Sequence, residues 1–171
     1  MIKIGIFYAT ISKNTKRVAE LIAATLNVSH NNIYNLMDIE TVDVMLQYDL
    51  LILGSPTYGK GNWHYLWEEI FDEMKRLDFS HAHFSIFCLG DQIHHQKTFA
   101  GAMTKMYAAL TEKKVSVIGA WSSQDYELTD SPMLIEYQTF PGLIIDEINQ
   151  SNLTEARTIS WCNQLISHLQ S

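Results

Sequence analysis

The sequence predicts an α/β fold in which helices cover both faces of a doubly wound, five-stranded parallel sheet. Short apolar stretches alternate with stretches of helical periodicity five times along the chain, which is typical of such a sheet. Three polar loops, at residues 9–15, 55–61 and 89–98, each follow an apolar stretch directly. If the strand order is 2-1-3-4-5, these loops lie side by side at the carboxyl ends of the strands, where ligands bind in doubly wound sheets.

The size of the chain suits one domain that spans residues 1–171. The sequence is 47% hydrophobic, with only 3 prolines and 8 glycines. A chain of this length buries roughly 70% of its unfolded surface on folding, so no disulfide is needed to stabilise the core. Few prolines and glycines argue against long disordered segments. We therefore expect one globular domain without linkers or repeats.

The charge balance limits the class of partner. The sequence contains 12 basic and 19 acidic residues, which gives a formal net charge of −7. Such a surface repels nucleic acid and anionic membranes and favours proteins with basic faces. No apolar run approaches the ~20 residues of a membrane span, and no export signal is visible. Cys88 and Cys162 lack CxxC spacing and fit reduced thiols, so we expect a cytoplasmic monomer without a metal site.

The apolar stretches give the strands and their order in the chain. A nearly continuous apolar run is typical of a parallel strand buried on both faces. The polar segment 122–139, which contains Pro132, separates two apolar runs and is predicted to be an insertion within the fifth strand. The predicted strands cover residues 2–8, 33–37, 49–54, 83–88, 115–121 and 142–146.

Helical spacing of apolar residues gives the covering layers. Thr41 is a suitable N-cap for one or two helical turns at 41–46. Thr154 is predicted to cap the last helix, with Ile159, Cys162 and Leu165 facing inward. The predicted long helices cover residues 14–26, 63–76 and 99–110 and begin again at residue 154.

The first loop has the composition of a phosphate-binding turn. It offers hydroxyls at Thr10, Ser12 and Thr15 and an amide at Asn14, immediately before a helix begins. Free N–H groups and the positive end of the helix dipole attract anions at this position. The Walker pattern and the GxGxxG fingerprint are both absent. An ordinary helix cap beside a polar turn remains the alternative.

The other two loops contain aromatic side chains beside glycine. Tyr58 stands next to Gly59 and could lie flat against a planar ligand, although a surface tyrosine explains the same pattern. The stretch Gly90-Asp91-Gln92 could bring backbone N–H groups close to a ligand edge. His95 could then form a second flat wall, and a solvated histidine pair at His94-His95 is the alternative.

Taken together, these motifs resemble the flavodoxins, and the interrupted fifth strand resembles their long-chain branch. The resemblance covers nearly the whole chain, and the motifs keep their order and spacing. The residues that carry it are Thr10-x-Ser12-x-Asn14-Thr15, Pro56-Thr57-aromatic-x-x-Gly61, Gly90-Asp91-Gln92, and Gly142-Leu143 to Asp146-Glu147-x-Asn149-Gln150.

The resemblance implies a low-potential one-electron carrier that binds FMN non-covalently and is not an enzyme with a substrate of its own. Its implied partners are a flavodoxin reductase-type donor and acceptor redox enzymes. The flavin ring would lie between Tyr58 and His95, and the peptide after Tyr58 would turn its carbonyl toward the reduced ring. The other implied contacts are Thr10, Ile11, Ser12, Lys13, Asn14 and Thr15 for the phosphate; Pro56, Thr57, Gly59, Lys60, Gly61, Leu89, Gly90 and Asp91 for the ring edge; and Thr98 and Asp146 near the ribityl chain and the site's edge.

Three positions depart from the family pattern. Lys13 replaces a glycine, Tyr58 replaces an inner tryptophan, and His95 replaces an outer tyrosine. Imidazole gains a proton near neutral pH, and a positive charge against the ring would favour the anionic reduced flavin. The two aromatic changes therefore affect the reduction potentials rather than the existence of the site.

Two other classes of protein could share this scaffold. A phospho-acceptor receiver domain shares the predicted topology but needs acidic residues where this chain has Thr10, Ser12 and Thr57. A flavin enzyme that reduces a quinone or nitro compound could use the same scaffold. Such an enzyme would need an open pocket above the ring and usually a route for nicotinamide. No group of residues in the sequence indicates either feature.

Overall fold

A computed structural model describes residues 2–128 and 138–170 and confirms the predicted fold class. The sheet is parallel, and its strands lie in the order β2-β1-β3-β4-β5. The strands are β1 (Ile4–Tyr8), β2 (Ile33–Asn35), β3 (Leu50–Pro56), β4 (His83–Leu89) and β5 (Ser116–Val117).

Helices cover both faces of this sheet, as the apolar periodicity predicts. Helices α1 (Asn14–Leu26) and α4 (Thr154–Gln170) pack on one face, against Ile6 and Ile52. Helices α2 (Leu66–Met74) and α3 (Gly101–Glu112) pack on the other face, against Phe7, Leu51 and Leu53. Neighbouring strand residues thus face opposite layers, because side chains alternate along a strand.

The fifth strand is divided into two short pieces. β5 pairs with the beginning of β4, where Phe84 lies opposite Val117. A second piece, β8 (Leu143–Ile145), pairs with the end of β4. Between them the chain forms an antiparallel ribbon from β6 (Trp121–Ser122) and β7 (Thr139–Phe140). The predicted interruption is confirmed in kind, and residues 129–137 of the predicted insertion lie outside the described residues.

The interruption begins earlier than the sequence predicts. A continuous strand over 115–121 is wrong, because the chain leaves the sheet after Ile118, whose N–H still donates to the Phe84 carbonyl at 2.8 Å. Gly119 follows with a φ of 92°, a left-handed conformation that ends the extended strand. The insertion therefore begins about three residues before residue 122.

The shorter segments differ from the predicted ones mainly at their ends. The second strand stops at Asn35, whose side chain accepts a hydrogen bond from the Met37 N–H and opens a 3₁₀ turn. Thr41 caps the next turn as predicted, accepting from the Asp43 N–H at 3.3 Å. Thr154 instead donates its hydroxyl to the Glu147 carboxylate. Among the described residues, no helix is long and apolar enough to cross a membrane.

Candidate cofactor site

A cavity of about 250 Å³ opens where β1, β3 and β4 end. The three polar loops line it together with the segment after β8. The loops therefore lie side by side, as the sequence predicts. The lining residues are Ser12, Asn14, Pro56, Thr57, Tyr58, Gly59, Leu89, Gly90, Asp91, His95, Thr98, Phe99, Glu147 and Ile148.

The N-terminus of α1 presents unpaired backbone donors at this cavity. Lys13 is the N-cap residue, and its side chain does not cap the helix. The first helical bond runs from the Arg17 N–H to the Lys13 carbonyl at 3.0 Å, so the N–H groups before Arg17 have no partner within the helix. The first turn carries no acidic residue. This end of α1 is therefore suited to an anion.

Lys13 adopts a backbone conformation that ordinarily favours glycine. Its φ is 68° and its ψ is −11°, in the left-handed region that costs a non-glycine residue roughly 1–2 kcal/mol. The lysine side chain therefore adds strain to a turn whose backbone conformation glycine adopts freely.

Four buried side-chain oxygens near the loops lack hydrogen-bond partners among the described residues: Thr10 Oγ1, Thr15 Oγ1, Thr57 Oγ1 and the Tyr58 hydroxyl. A buried polar group without a partner costs about 1–3 kcal/mol. All four belong to the first two loops around the cavity. Their arrangement fits a ligand whose oxygen atoms accept hydrogen bonds, as a phosphate does.

The second loop is held by a pair of backbone hydrogen bonds. The N–H of Tyr58 donates to the Asn62 carbonyl, and the N–H of Asn62 donates to the Tyr58 carbonyl, each at 2.8 Å. Gly61 packs against Gly101 so closely that a Cβ on Gly101 would lie 2.6 Å from the Gly61 backbone. Burial raises the pKa of Tyr58 to about 12, so its hydroxyl stays neutral and able to donate.

The third loop is organised by the carboxylate of Asp91. Partial burial favours the neutral acid, but hydrogen bonds from the His94 N–H, the Asn149 amide and the His94 ring outweigh it and lower the pKa of Asp91 to about 2. The His95 N–H donates to the Asp91 carbonyl at 3.1 Å. His95 is exposed and lines the cavity, which places a flat side chain at its outer edge.

Asp146 has a different place from the one that the resemblance implies. It is 1% exposed and does not appear among the residues that line the cavity. Its carboxylate accepts from the Gln92 N–H and the Gln92 side-chain amide at 3.0 and 2.9 Å, and from the Ile148 and Asn149 N–H groups. Asp146 therefore supports the third loop through these hydrogen bonds and not as part of the cavity lining.

The predicted contact residues divide into two sets. Those that line the cavity are Ser12, Asn14, Pro56, Thr57, Tyr58, Gly59, Leu89, Gly90, Asp91, His95 and Thr98. Those placed behind or beside it are Thr10, Ile11, Lys13, Thr15, Lys60, Gly61 and Asp146. Sequence reasoning missed Phe99, Glu147 and Ile148, although the last two directly follow Asp146 in a motif that it had singled out.

Glu147 brings a negative charge to the end of the cavity beside α1. Its side chain is only 11% exposed, and its carboxylate pairs with the Arg17 guanidinium while accepting from the Thr154 hydroxyl. Arg17 lies one turn into α1, beyond the free N–H groups. This cation offsets the carboxylate close to the position suited to an anion.

Comparison with known proteins decides the family. The family model for flavodoxin matches residues 6–161. The chain belongs to the flavodoxin family. A flavodoxin of Buchnera aphidicola is 32% identical over 100% of this chain and 99% of its own length. A Synechocystis flavodoxin is 34% identical over the full length of both chains.

A solved flavodoxin shows how closely the fold agrees. The crystal structure of Fusobacterium nucleatum flavodoxin bound to flavin mononucleotide superposes with a TM-score of 0.88 and 30% sequence identity. The alignment covers 98% of this chain and 99% of that protein.

Proposed function

We propose that this chain is a one-electron carrier that holds FMN non-covalently and has no substrate of its own. The observation that carries the proposal is the meeting of an uncapped helix N-terminus, unpaired buried hydroxyls and two flat side chains around one cavity. The flavodoxin family match and the FMN-bound F. nucleatum relative support FMN as the cofactor. When bound, FMN supplies the reversible one-electron chemistry that no side chain of this site provides.

In this proposal the first loop holds the phosphate. Backbone N–H groups at the start of α1 would donate to it, as would the hydroxyls of Thr10, Ser12 and Thr15 and the Asn14 amide, with Ile11 and Lys13 shaping the turn. Hydrogen bonds to a charged acceptor contribute roughly 1.5–3 kcal/mol each. The phosphate oxygens would accept from the Thr10 and Thr15 hydroxyls and so give them the partners that they lack.

The remaining lining residues would hold the ring and the sugar alcohol. Tyr58 and His95 would contact the two faces of the ring. Backbone of Pro56, Thr57, Gly59, Lys60 and Gly61 on one side, and of Leu89, Gly90 and Asp91 on the other, would contact its polar edge. Thr98 would lie near the ribityl chain, and Asp146 would act only by supporting the third loop.

The hydrogen bonds of the second loop favour rotation of the peptide between Gly59 and Lys60 over rotation of the peptide directly after Tyr58. The Tyr58 carbonyl accepts from the Asn62 N–H at 2.8 Å, so turning the peptide directly after Tyr58 would break that bond. The next peptide, between Gly59 and Lys60, lies in an exposed part of the loop. A Cβ on Gly59 would meet nothing within 4 Å. The Gly59 carbonyl is therefore the group that we expect to turn toward the reduced flavin.

Charge would set the direction of the potential and the class of partner. Asp91 and Glu147 line the cavity, and the chain carries a net charge of −7. Adding an electron beside carboxylates is unfavourable, which lowers the reduction potential. The acidic surface suits donor and acceptor enzymes with basic docking faces. We extend the proposal to a cytoplasmic monomer that is served by a reductase of the flavodoxin reductase type.

The test compares flavin binding with substrate turnover. The FMN-free protein is titrated with FMN and with riboflavin, and the loaded protein is then reduced stepwise with dithionite and mixed with a flavodoxin reductase and cytochrome c. We expect tighter binding of FMN than of riboflavin, uptake of electrons one at a time, and transfer to cytochrome c. Failure to bind FMN would overturn the proposal. Direct NAD(P)H-dependent turnover of menadione or a nitroarene would favour the reductase alternative, which the family match does not favour.

A further inference from the structure

We propose that Gln92 is a positioning residue through which the insertion in the fifth strand holds the outer wall of the cavity. The insertion contributes its described segment 123–128, and the outer wall is the loop 90–98. The part of the inference that concerns FMN rests on the proposed function. The contact between the insertion and the loop does not.

Three segments of the chain meet at the side chain of Gln92. This amide is 1% exposed, and its Oε1 accepts from the Glu127 N–H in the insertion at 2.7 Å. Its Nε2 donates to Asp146 Oδ2 at 2.9 Å, and its own backbone N–H donates to the same oxygen at 3.0 Å. Gln92 thus joins the outer wall to both the insertion and the segment after β8.

The insertion is itself fixed to the sheet, so it can act as a support. Arg157 of α4 is 6% exposed and donates to the Asp125 carbonyl at 3.0 Å. Its guanidinium lies 4.2 Å from the centre of the Tyr126 ring. The Tyr126 hydroxyl donates to the Ile144 carbonyl in β8 at 2.6 Å. The backbone that binds Gln92 is therefore anchored on both sides.

On the cavity side, a series of bonds leads from Gln92 to the flat side chain. Its neighbour Asp91 lines the cavity and accepts the His95 N–H on its carbonyl. The Thr98 N–H donates in turn to the His95 carbonyl at 3.0 Å. A displacement at position 92 would therefore be passed to both lining residues, His95 and Thr98.

Packing contributes little to the order of this loop. Residues 93–97 are all exposed, so hydrogen bonds at its base must fix its position. Replacing the Gln92 amide with an apolar group would leave the buried Asp146 carboxylate and the part-buried Glu127 N–H without one partner each, and the loss is most costly at the buried carboxylate. The insertion, whose own sequence carries no cofactor motif, would in this way determine how firmly the cavity is closed.

The first experiment compares Q92M with a matched control, Q96M, in the same loop. Methionine keeps the length of the side chain and removes its hydrogen bonds. Gln96 is exposed, so its replacement should change nothing. In the FMN-free protein we expect Q92M to raise amide hydrogen exchange in both 91–98 and 125–128 while β1, β3 and β4 stay protected. In the loaded protein we expect FMN to dissociate about ten times faster than from the wild type.

A second variant, Q92E, distinguishes positioning from general loss of structure. The charged and titratable groups near this position include Asp146, Asp91 with its partner His94, Glu127 and Arg157. At pH 8 the introduced carboxylate would repel Asp146, and the variant should behave like Q92M. When protonated, the same group can donate to Asp146 and accept from the Glu127 N–H. Relative to wild type at each pH, the faster FMN dissociation and the faster exchange should therefore diminish at pH 5.

The outcomes separate this inference from the proposed function. Unchanged exchange and FMN dissociation in Q92M, or equal effects of Q96M, would overturn the inference. So would exchange that rises uniformly over the chain in Q92M with no recovery of Q92E at pH 5. If the wild type fails to bind FMN, the proposed function falls, while the exchange measurements on the FMN-free protein still decide whether Gln92 couples the two segments.

Discussion

Replacing Thr15 with valine should stabilise the FMN-free protein and weaken FMN binding. Thr15 is 1% exposed in the first turn of α1, and its Oγ1 has no partner among the described residues. Valine has nearly the same shape and a similar helix propensity. The substitution therefore removes an unpaired hydroxyl from the free protein and a proposed phosphate donor from the complex.

The two effects have opposite signs and measurable sizes. Leaving a hydroxyl buried and unpaired costs about 1–3 kcal/mol, so its removal should raise the free energy of unfolding of the FMN-free protein by about 1 kcal/mol. A hydrogen bond to a charged phosphate contributes roughly 1.5–3 kcal/mol. At 1.4 kcal/mol per tenfold, its loss should weaken FMN binding by about ten- to a hundredfold.

Urea unfolding and fluorescence titration measure the two quantities separately. Thr25→Val is the matched control, because Thr25 is in the same helix and its hydroxyl already donates to the Leu21 carbonyl at 2.8 Å. That variant should lose a little stability and keep its FMN affinity. Riboflavin, which lacks the phosphate, should bind Thr15→Val and wild type alike. Reduced stability with unchanged FMN affinity, or an equal loss of riboflavin affinity, would refute the reasoning.

Two further substitutions test the loops. Lys13→Gly should raise the unfolding free energy of the FMN-free protein by about 0.5–1 kcal/mol, because it relieves a φ of 68°. As a control, Lys16→Gly within α1 should lower the unfolding free energy by about 1 kcal/mol. Equal losses in the two variants, measured by urea unfolding, would contradict this. Asp91→Asn should lower the free energy of unfolding at pH 7, since the folded-state pKa of Asp91, about 2, lies below the unfolded value. That difference should be fully present above about pH 4 and disappear as the pH falls toward 2, and a difference that does not change with pH in unfolding curves would count against it.

Local signals in the sequence were sufficient for the sheet and for the first loop. Apolar runs identify β1, β3 and β4 because strands buried on both faces have no polar side to obscure the pattern. Hydroxyl residues directly before a helix predict a phosphate turn because the donors and the helix end are adjacent in sequence, and the structure places the helix start at Asn14. The strand order 2-1-3-4-5, which would place the polar loops side by side, is confirmed.

Long-range pairs could not be predicted in the same way. Asp146 meets Gln92 across 54 residues, and Arg17 meets Glu147 across 130. Nothing near either partner in sequence indicates the other. Asp146 was consequently predicted at the edge of the cavity, although its carboxylate is turned toward the base of the third loop.

Helix periodicity also failed where a polar residue is buried. Ile159 was predicted to face inward, and it is 38% exposed. Arg157 and Thr158 are buried instead, because Arg157 finds carbonyl and amide acceptors beside the insertion and stacks on Tyr126. A pattern based on hydrophobicity assigns such a residue to solvent. The buried arginine is a consequence of the insertion and not of the helix alone.

The divided fifth strand also bears on how the folded molecule avoids pairing with other chains. An edge strand with a long row of free backbone groups is a template for aggregation. Here one edge of the sheet consists of β5 and β8, which are 2 and 3 residues long, and the other is β2, with 3 residues. Neither edge offers an uninterrupted row to an incoming strand. The long strands β3 and β4, with 7 residues each, are enclosed by neighbours on both sides. The same interruption that supports the cavity wall thus shortens the edge of the sheet beside β4.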